Sequence, residues 1–420
     1  MDLFSVFEEW NIYAKQQKLR KRNIDFSSII RNTQMKIPAI TGIRRSGKTS
    51  ILMLLAQLLS KKKEKVGYIN LEDNRLKNQE DVLDNIIKWF GDEGYLLLDE
   101  ITAVDGWEGW LARTHELLKG KLHVIVSSSR KTLSKPSKPL RGRILPCEIY
   151  PLSFIEYLDF QHIKVQPTTA STGKQEQAFK TYQRYGGFPE VTLTKNNTDK
   201  IRILNTYYND IIALDVAEMS HMDISAVETF ARYGLKSSYF SASKCLNFFK
   251  SLGFKIGKEK LLHLEQYMQS AYLFFFIPVF SYNIKDRSQY PRKSYVGDTG
   301  FFSSIQGMED KGRIYENMVF LELKRRIKEQ QEICYWKNKK GMETDFIIKQ
   351  GTNIKKIIQV TTDIQKKETL NREINGLVAC AKELGIHKGL ILTETLEKNQ
   401  TIDNIQISFK PCMKWLQQKE

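Results

Sequence analysis

A chain of 420 residues and 48.9 kDa is long enough for about two or three domains, and 41% hydrophobic with 11% aromatic residues supports packed cores. A formal charge of +17 and a pI near 9.4 favour a polyanionic partner, nucleic acid or an acidic surface. Five scattered cysteines without CxxC or Cys/His metal spacing fit a reducing, cytoplasmic setting; MDLFSVFEEW lacks the form of a signal peptide, and the longest apolar run, 271–280, is too short to span a bilayer.

Residues 1–35 read as helical and polar, with a basic patch at Lys18-Leu-Arg-Lys-Arg22 of the kind usually found on a solvated face. Lys36 to Met53, KIPAITGIRRSGKTSILM, contains G-x-x-x-x-G-K-[ST] at every fixed position. An apolar run (Ile37, Ala39, Ile40) precedes it, and leucines at helical spacing (Leu52, Leu54, Leu55, Leu58, Leu59) follow. Strand, glycine loop and helix start are what phosphate binding needs, because loop amides point inward and the helix N-terminus favours negative charge. Gly42, Arg44, Arg45, Ser46, Gly47, Lys48, Thr49 and Ser50 are the expected cradle. Lys48 is expected to reach the β- and γ-phosphates and the Thr49 hydroxyl to ligate Mg²⁺. The plain alternative is a glycine turn.

A strand is expected at 66–71 and a helix at about 78–90. Tyr95-Leu-Leu-Leu-Asp99-Glu100 then reads as an apolar strand ending in two acids. Asp99 can hold Mg²⁺ and Glu100 can deprotonate an attacking water. A strand between the loop strand and the Asp99 strand suggests the additional-strand branch of P-loop ATPases. A helix at 107–118 and a strand at 122–127 follow, ending in Ser127-Ser-Ser-Arg130. Ser128 is chosen there as the residue to touch the γ-phosphate or the lytic water, an ordinary Ser-rich turn being the alternative. Lys131 to Pro139 reads as a loop. Arg141 and Arg143 could neutralise transition-state charge in the same subunit or from a neighbour, or be surface residues. Ser153 and Glu156 form an expected capping box, and 160–176 a flexible insertion.

From about 197 to 282 the pattern is helical, with a long helix at 197–218 and three shorter ones. Two of these meet at a turn containing Gly253 and Gly257 before β-rich 272–280, which suggests a winged helix-turn-helix. Lys258, Lys260 and His263 would then face a DNA groove; packing or protein contact is the alternative. The last third reads as helix (315–326), three strands (333–336, 343–348, 356–360), helix (369–384) and strand (389–393), the order of a restriction-endonuclease-like core. Asp345 and Gln359 fit its metal-holding positions and Glu316 could assist. Position 361, where an active member has lysine, is Thr361, and Lys366 is one substitute from elsewhere; a degenerate, non-cleaving domain is favoured.

In combination, GIRRSGKTS (42–50), YINLEDNRL (68–76), LLLDEI (96–101), LRGR (140–143), PLSFIEYL (151–158), YGGFPEV (185–191), VGDTG (296–300), YENMVFLELKRR (315–326), ETDFII (343–348) and IIQVTTDI (357–364) cover nearly the whole chain. It resembles the bacterial and archaeal ATP-binding proteins that join an AAA-type P-loop module to a C-terminal domain of unknown function. The resemblance implies an α/β chain with nucleotide binding, a winged-helix middle and a nuclease-like tail, and no known substrate. The departures are Thr361 and the Ser127-Ser-Ser run, where the family more often has a Gly-Ser pair. The expected division is a P-loop ATPase domain at 1–160, a helical lid or linker at 161–220, a winged helix at 221–297 and a restriction-endonuclease-like domain at 298–420.

The first functional expectation is an ATPase using ATP and Mg²⁺, with hydrolysis switching its state on DNA or RNA. A nucleotide-gated protein-interaction switch is the second, and an ATP-regulated metal-dependent nuclease the third. ATP over GTP follows from the resemblance, no guanine-reading N-K-x-D being present. No membrane partner is expected, and the oligomeric state is open.

Overall fold

A parallel five-stranded sheet organises the first part of the chain. Its strands are β1 (Ile37–Thr41), β2 (Val66–Asn70), β3 (Gly94–Asp99), β4 (Leu122–Ser128) and β5 (Ile144–Glu148), in the spatial order β2-β3-β4-β1-β5. All five residues of β1 and the Leu96–Asp99 part of β3 are buried, as central parallel strands covered on both faces must be. One face packs on Phe7, Ile86, Phe90 and Leu111; the other packs on Ile51, Leu52, Leu55 and Leu59. The strand between β1 and β3 in space is β4, whereas the strand between them in sequence, β2, lies at the sheet's edge. The chain is thus an α/β protein with a P-loop-type parallel sheet.

The computed structural model describes residues 2–418 except 78, 135–137, 284–286, 288–289, 308–309 and 364–365. It divides into two compact units, Met1–Ile149 and Tyr150–Glu420. In the first, the helix expected at about 78–90 runs Val82–Phe90, and Asn78 lies outside the described residues. The expected loop 131–139 contains short 3₁₀ turns at Lys131–Ser134 and Lys138–Leu140; residues 135–137 lie outside the description.

The second unit opens with helix Phe154–Phe160, whose Ser153/Glu156 capping box forms as expected. Helix Thr169–Tyr185 then occupies the latter part of the stretch read as a flexible insertion, which corrects that reading from Thr169 onward. The long helix at 197–218 is Asn197–Asp210 continuing through a π-wound Ile211–Ala217. Three helices follow, Ile224–Lys236, Ala242–Ser251 and Lys258–Ser270. They accompany a small antiparallel sheet, β6 (Tyr239–Phe240), β7 (Phe274–Ile277) and β8 (Arg292–Val296), in the order β6-β8-β7.

Helix Lys311–Arg326 leads into a six-stranded sheet. Its strands are β9 (Gln331–Lys337), β10 (Glu343–Gln350), β11 (Asn353–Val360), β12 (Lys388–Thr393), β13 (Lys398–Ile402) and β14 (Ile405–Pro411), ordered β13-β14-β12-β11-β10-β9. Helix Lys367–Leu384 connects β11 to the parallel β12. Among the described residues, no helix is long and apolar enough to cross a membrane.

Candidate functional site

The loop after β1 and the acids closing β3 stand at the same carboxyl-terminal edge of the first sheet, with β4 between them. Two inter-strand spacings separate them, about 10 Å. Gly47 has φ 99° and starts helix Lys48–Lys61, a left-handed conformation suited to glycine. A Cβ on Gly42 would lie 2.0 Å from the Ile149 carbonyl oxygen, so β1 can turn into the loop only with glycine there. Arg45 is left-handed at φ 68° and exposed, Arg44 lies 3.6 Å from Glu72, and the Ser46 carbonyl accepts from Arg22 at 2.8 Å. The basic patch expected on a solvated face therefore sends Arg22 to the loop itself.

Lys48 is 4% exposed. Its Nζ donates to the Gly42 carbonyl at 3.1 Å and the Ile43 carbonyl at 3.4 Å, and lies 3.5 Å from Glu100 Oε1. Asp99 is buried, accepting hydrogen bonds from the Ser127 and Tyr68 hydroxyls, the latter at 3.0 Å, and from Thr49. Burial, then the neighbouring Glu100, push its carboxyl up to about 6; Ser127, Thr49 and Lys48 oppose that rise. Glu100 follows in a left-handed conformation, φ 51°, uncommon for a side chain with a Cβ. Its Oε2 accepts from the Ser129 amide at 2.9 Å and the Ser129 hydroxyl at 3.2 Å. The sequence thus brings Lys48, Thr49, Asp99 and Glu100 together.

The serine run resolves differently from expectation. Alternation along the chain sends Ser127 to Asp99 and Ser129 to Glu100, whereas Ser128 Oγ meets Thr102 Oγ1 at 3.1 Å. Ser128, the residue chosen, is the one whose hydroxyl turns away from both acids. Arg141 and Arg143 are corrected too, as candidates acting within the same subunit. Arg143 immediately precedes β5, and its carbonyl accepts from the first residue of β1, Ile37. That places it at the opposite edge of the sheet from the loop, a strand length of about 16 Å away. Its guanidinium contacts Pro139 and Glu116, and Arg141 is exposed. The expectations this geometry leaves open are a role from a neighbouring subunit and that of plain surface residues.

A hard divalent cation suits the hydroxyl and carboxylate oxygens of Thr49 and Asp99. The loop has the features of a phosphate cradle: among the described residues Ser46 Oγ is buried without a hydrogen-bond partner, and the Lys48 ammonium meets loop carbonyls and Glu100. Tyr68, Ser127 and Ser129 were missed by sequence reading. Tyr68 belongs to an ordinary apolar strand, and only the pairing of β2 with β3 aims its hydroxyl at Asp99.

The second candidate centre lies in the second unit. Asp345 and Glu316 meet, but around a lysine that sequence reading did not single out. Lys293 Nζ is 2.7 Å from Asp345 Oδ1, 2.9 Å from Glu316 Oε1 and 2.8 Å from Glu343 Oε1. Gln359 is adjacent, its Oε1 accepting from the Asp345 amide at 3.0 Å and its Nε2 donating to Glu373 at 2.5 Å. Asp345 Oδ2 accepts from the Val360 amide at 2.8 Å. The strand register shifts between Thr344 and Ile347 opposite β9, so Asp345 sits in an irregular stretch that re-aims its side chain. Lys366, the suggested substitute for a lysine at 361, is exposed and pairs with Asp363 at 3.0 Å. Among the described residues no group of three or more His, Cys, Asp or Glu side chains is arranged to hold a metal ion. Lys258, Lys260 and His263 are all exposed on their helix.

Comparison with known proteins gives three family matches along the chain. Residues 34–158 match an AAA domain, 176–312 a domain of unknown function (DUF8612), and 311–413 a second (DUF4143). The chain is 23% identical over 432 residues to an uncharacterized protein of Haemophilus influenzae, covering 96% of this chain and 97% of that one. A solved structure described as replication initiator DnaA bound to AMPPCP and single-stranded DNA is 16% identical and covers 63% of this chain and 92% of its own, with a TM-score of 0.31, too low to carry an argument. Over 382 residues the identity to the uncharacterized protein MJ1544 of Methanocaldococcus jannaschii is 35%, covering 88% of this chain and 83% of that protein. The chain belongs to the family of MJ1544, with an AAA domain followed by two domains of unknown function.

Proposed function

We propose that the protein is a Mg²⁺-dependent ATPase whose hydrolysis alters its hold on nucleic acid. The observation that carries the ATPase reading is the meeting of Lys48 with Glu100 at 3.5 Å, beside Asp99 bonded by Thr49. In this reading the 42–50 loop amides and Lys48 hold the phosphates, and Thr49 and Asp99 hold the metal. Bound Mg²⁺ would neutralise charge on the phosphate oxygens. Glu100 takes the proton of the attacking water, released for that task from Ser129 and Lys48. Purified protein should hydrolyse ATP with Mg²⁺. Glu100→Gln should bind ATP with little change and turn over roughly 10²–10⁴-fold more slowly, the usual contribution of a general base. Equal rates in the two proteins remove Glu100 from the mechanism.

The nucleic-acid part rests on the +17 charge and on architecture. We read the three helices 224–270 with the β6-β8-β7 sheet as a winged helix presenting Lys258, Lys260 and His263. The helix Lys311–Arg326 with β9–β12 we read as a restriction-endonuclease-like core. Phosphate contacts give steep salt dependence, so a salt titration of DNA and RNA binding tests this part separately. Retained ATPase activity with no binding even at low salt would favour the nucleotide-gated interaction switch.

A further inference from the structure

Lys293 and Tyr295 are two apart on β8 and therefore point to one side of that small sheet. Both reach Glu316, Lys293 at 2.9 Å and the Tyr295 hydroxyl at 2.6 Å. On the neighbouring strand β6, Tyr239 sits opposite Lys293 and donates its hydroxyl to Glu343. The ammonium is 5.9 Å from each of the Tyr239 and Tyr335 ring centres, close enough for cation–π attraction. Lys293 is 5% exposed. An ammonium has three N–H donors and no acceptor, and here three carboxylates each offer one oxygen at 2.7–2.9 Å. Its donors are matched one to one.

Those three oxygens converge from two elements, helix Lys311–Arg326 and strand β10. A divalent cation drawn to them would have to stand where Nζ stands. Such an ion needs oxygen ligands at about 2.0–2.1 Å for Mg²⁺. Three of the remaining oxygens nearby already have donors: Asp345 Oδ2 has the Val360 amide, Gln359 Oε1 the Asp345 amide, and Glu343 Oε2 the Lys337 ammonium at 3.1 Å. A buried carboxylate left without its cation would be strongly disfavoured, so the lysine and the acids hold one another in place.

We propose that Lys293 is the resident cation of this centre: its ammonium occupies the point of convergence, ties β8 to the C-terminal sheet, and closes the centre to divalent metal and to metal-dependent cleavage. The proposal is independent of the ATPase reading. It implies that removing the ammonium without filling its space converts the centre into a site for a hard divalent cation.

The test uses the full chain, nucleotide-free, with Mn²⁺ titrated by the loss of its free-ion electron paramagnetic resonance signal. Wild type and Asp345→Asn should give the same titration, because the wild-type centre takes no metal; this comparison isolates the centre from any Mn²⁺ held near Thr49 and Asp99. Lys293→Met should melt lower than wild type, gain about one Mn²⁺ equivalent at least tenfold tighter than any binding at this centre in wild type, and recover thermal stability with Mn²⁺. A wild-type Mn²⁺ site that disappears in Asp345→Asn overturns the proposal. So does Asp345-dependent cleavage of plasmid or single strands by wild type, or a folded Lys293→Met that gains no site. If Lys293→Met does not fold, the wild-type and Asp345→Asn titrations decide alone, equal curves supporting the proposal and unequal ones overturning it.

Discussion

Asp99 and Glu100 are adjacent in sequence and placed in different surroundings. Asp99 lies at the end of a buried strand, where burial lifts its carboxyl to about 6. Metal binds the deprotonated form. Magnesium-nucleotide affinity should therefore be flat above pH 6 and fall about tenfold per pH unit below it, a dependence that calorimetry at several pH values checks. Removing the Tyr68 hydroxyl in Tyr68→Phe takes away a donor that favours the ionised acid. The midpoint should move to higher pH, and affinity at pH 5, below the midpoint, should drop about fivefold, equivalent to a hydrogen bond of about 1 kcal/mol, while affinity at pH 7 changes less than about twofold. At this scale the motif residues were legible because phosphate chemistry fixes them at set spacings along one loop. Tyr68, Ser129 and Lys293 were not, because each reaches its acid from a distant part of the chain and nothing in its own neighbours announces the partner.

Elements with a strong apolar period were legible to within a few residues. The run Ile37–Thr41, the Leu96–Asp99 end of β3 and the Ser153/Glu156 cap formed as their residues suggest. Helix Thr169–Tyr185 was partly missed because its first turns are polar and most of its apolar buried positions, Ala178, Phe179, Tyr182 and Tyr185, come in its second half. Edge strand β13, Lys398-Asn-Gln-Thr-Ile402, is almost entirely exposed and has no apolar alternation to read. The junction of β1 with the loop is where one element depends most sharply on one residue. Gly42→Ala would press a methyl group to 2.0 Å from the Ile149 carbonyl. It should destabilise the first unit by roughly 1–3 kcal/mol, the range for overpacking, and abolish nucleotide binding, as denaturant unfolding and calorimetry can measure.

The two compact units meet in sequence at Ile149 and Tyr150. A ligand that binds only one folded unit raises the stability of that unit alone, by about 2.7 kcal/mol at a hundred times its dissociation constant. Mg-ATP should therefore shift the unfolding of Met1–Ile149 upward and leave a separate transition of Tyr150–Glu420 in place, readable by calorimetry with and without nucleotide; equal shifts of two resolved transitions would contradict a site confined to the first unit. The sequence by itself determined the phosphate loop, the acid pair and the alternation of strands and helices, since each is written in local spacing. Only the tertiary structure decided that Ser127 and Ser129 rather than Ser128 touch the acids, that Arg143 stands at the far edge of the sheet, and that Lys293 fills the acidic centre. The physical reason is the same in all three cases: strand pairing and side-chain alternation set which groups share a space, and an ion pair between residues 293 and 345 leaves no mark in the residues that flank either one.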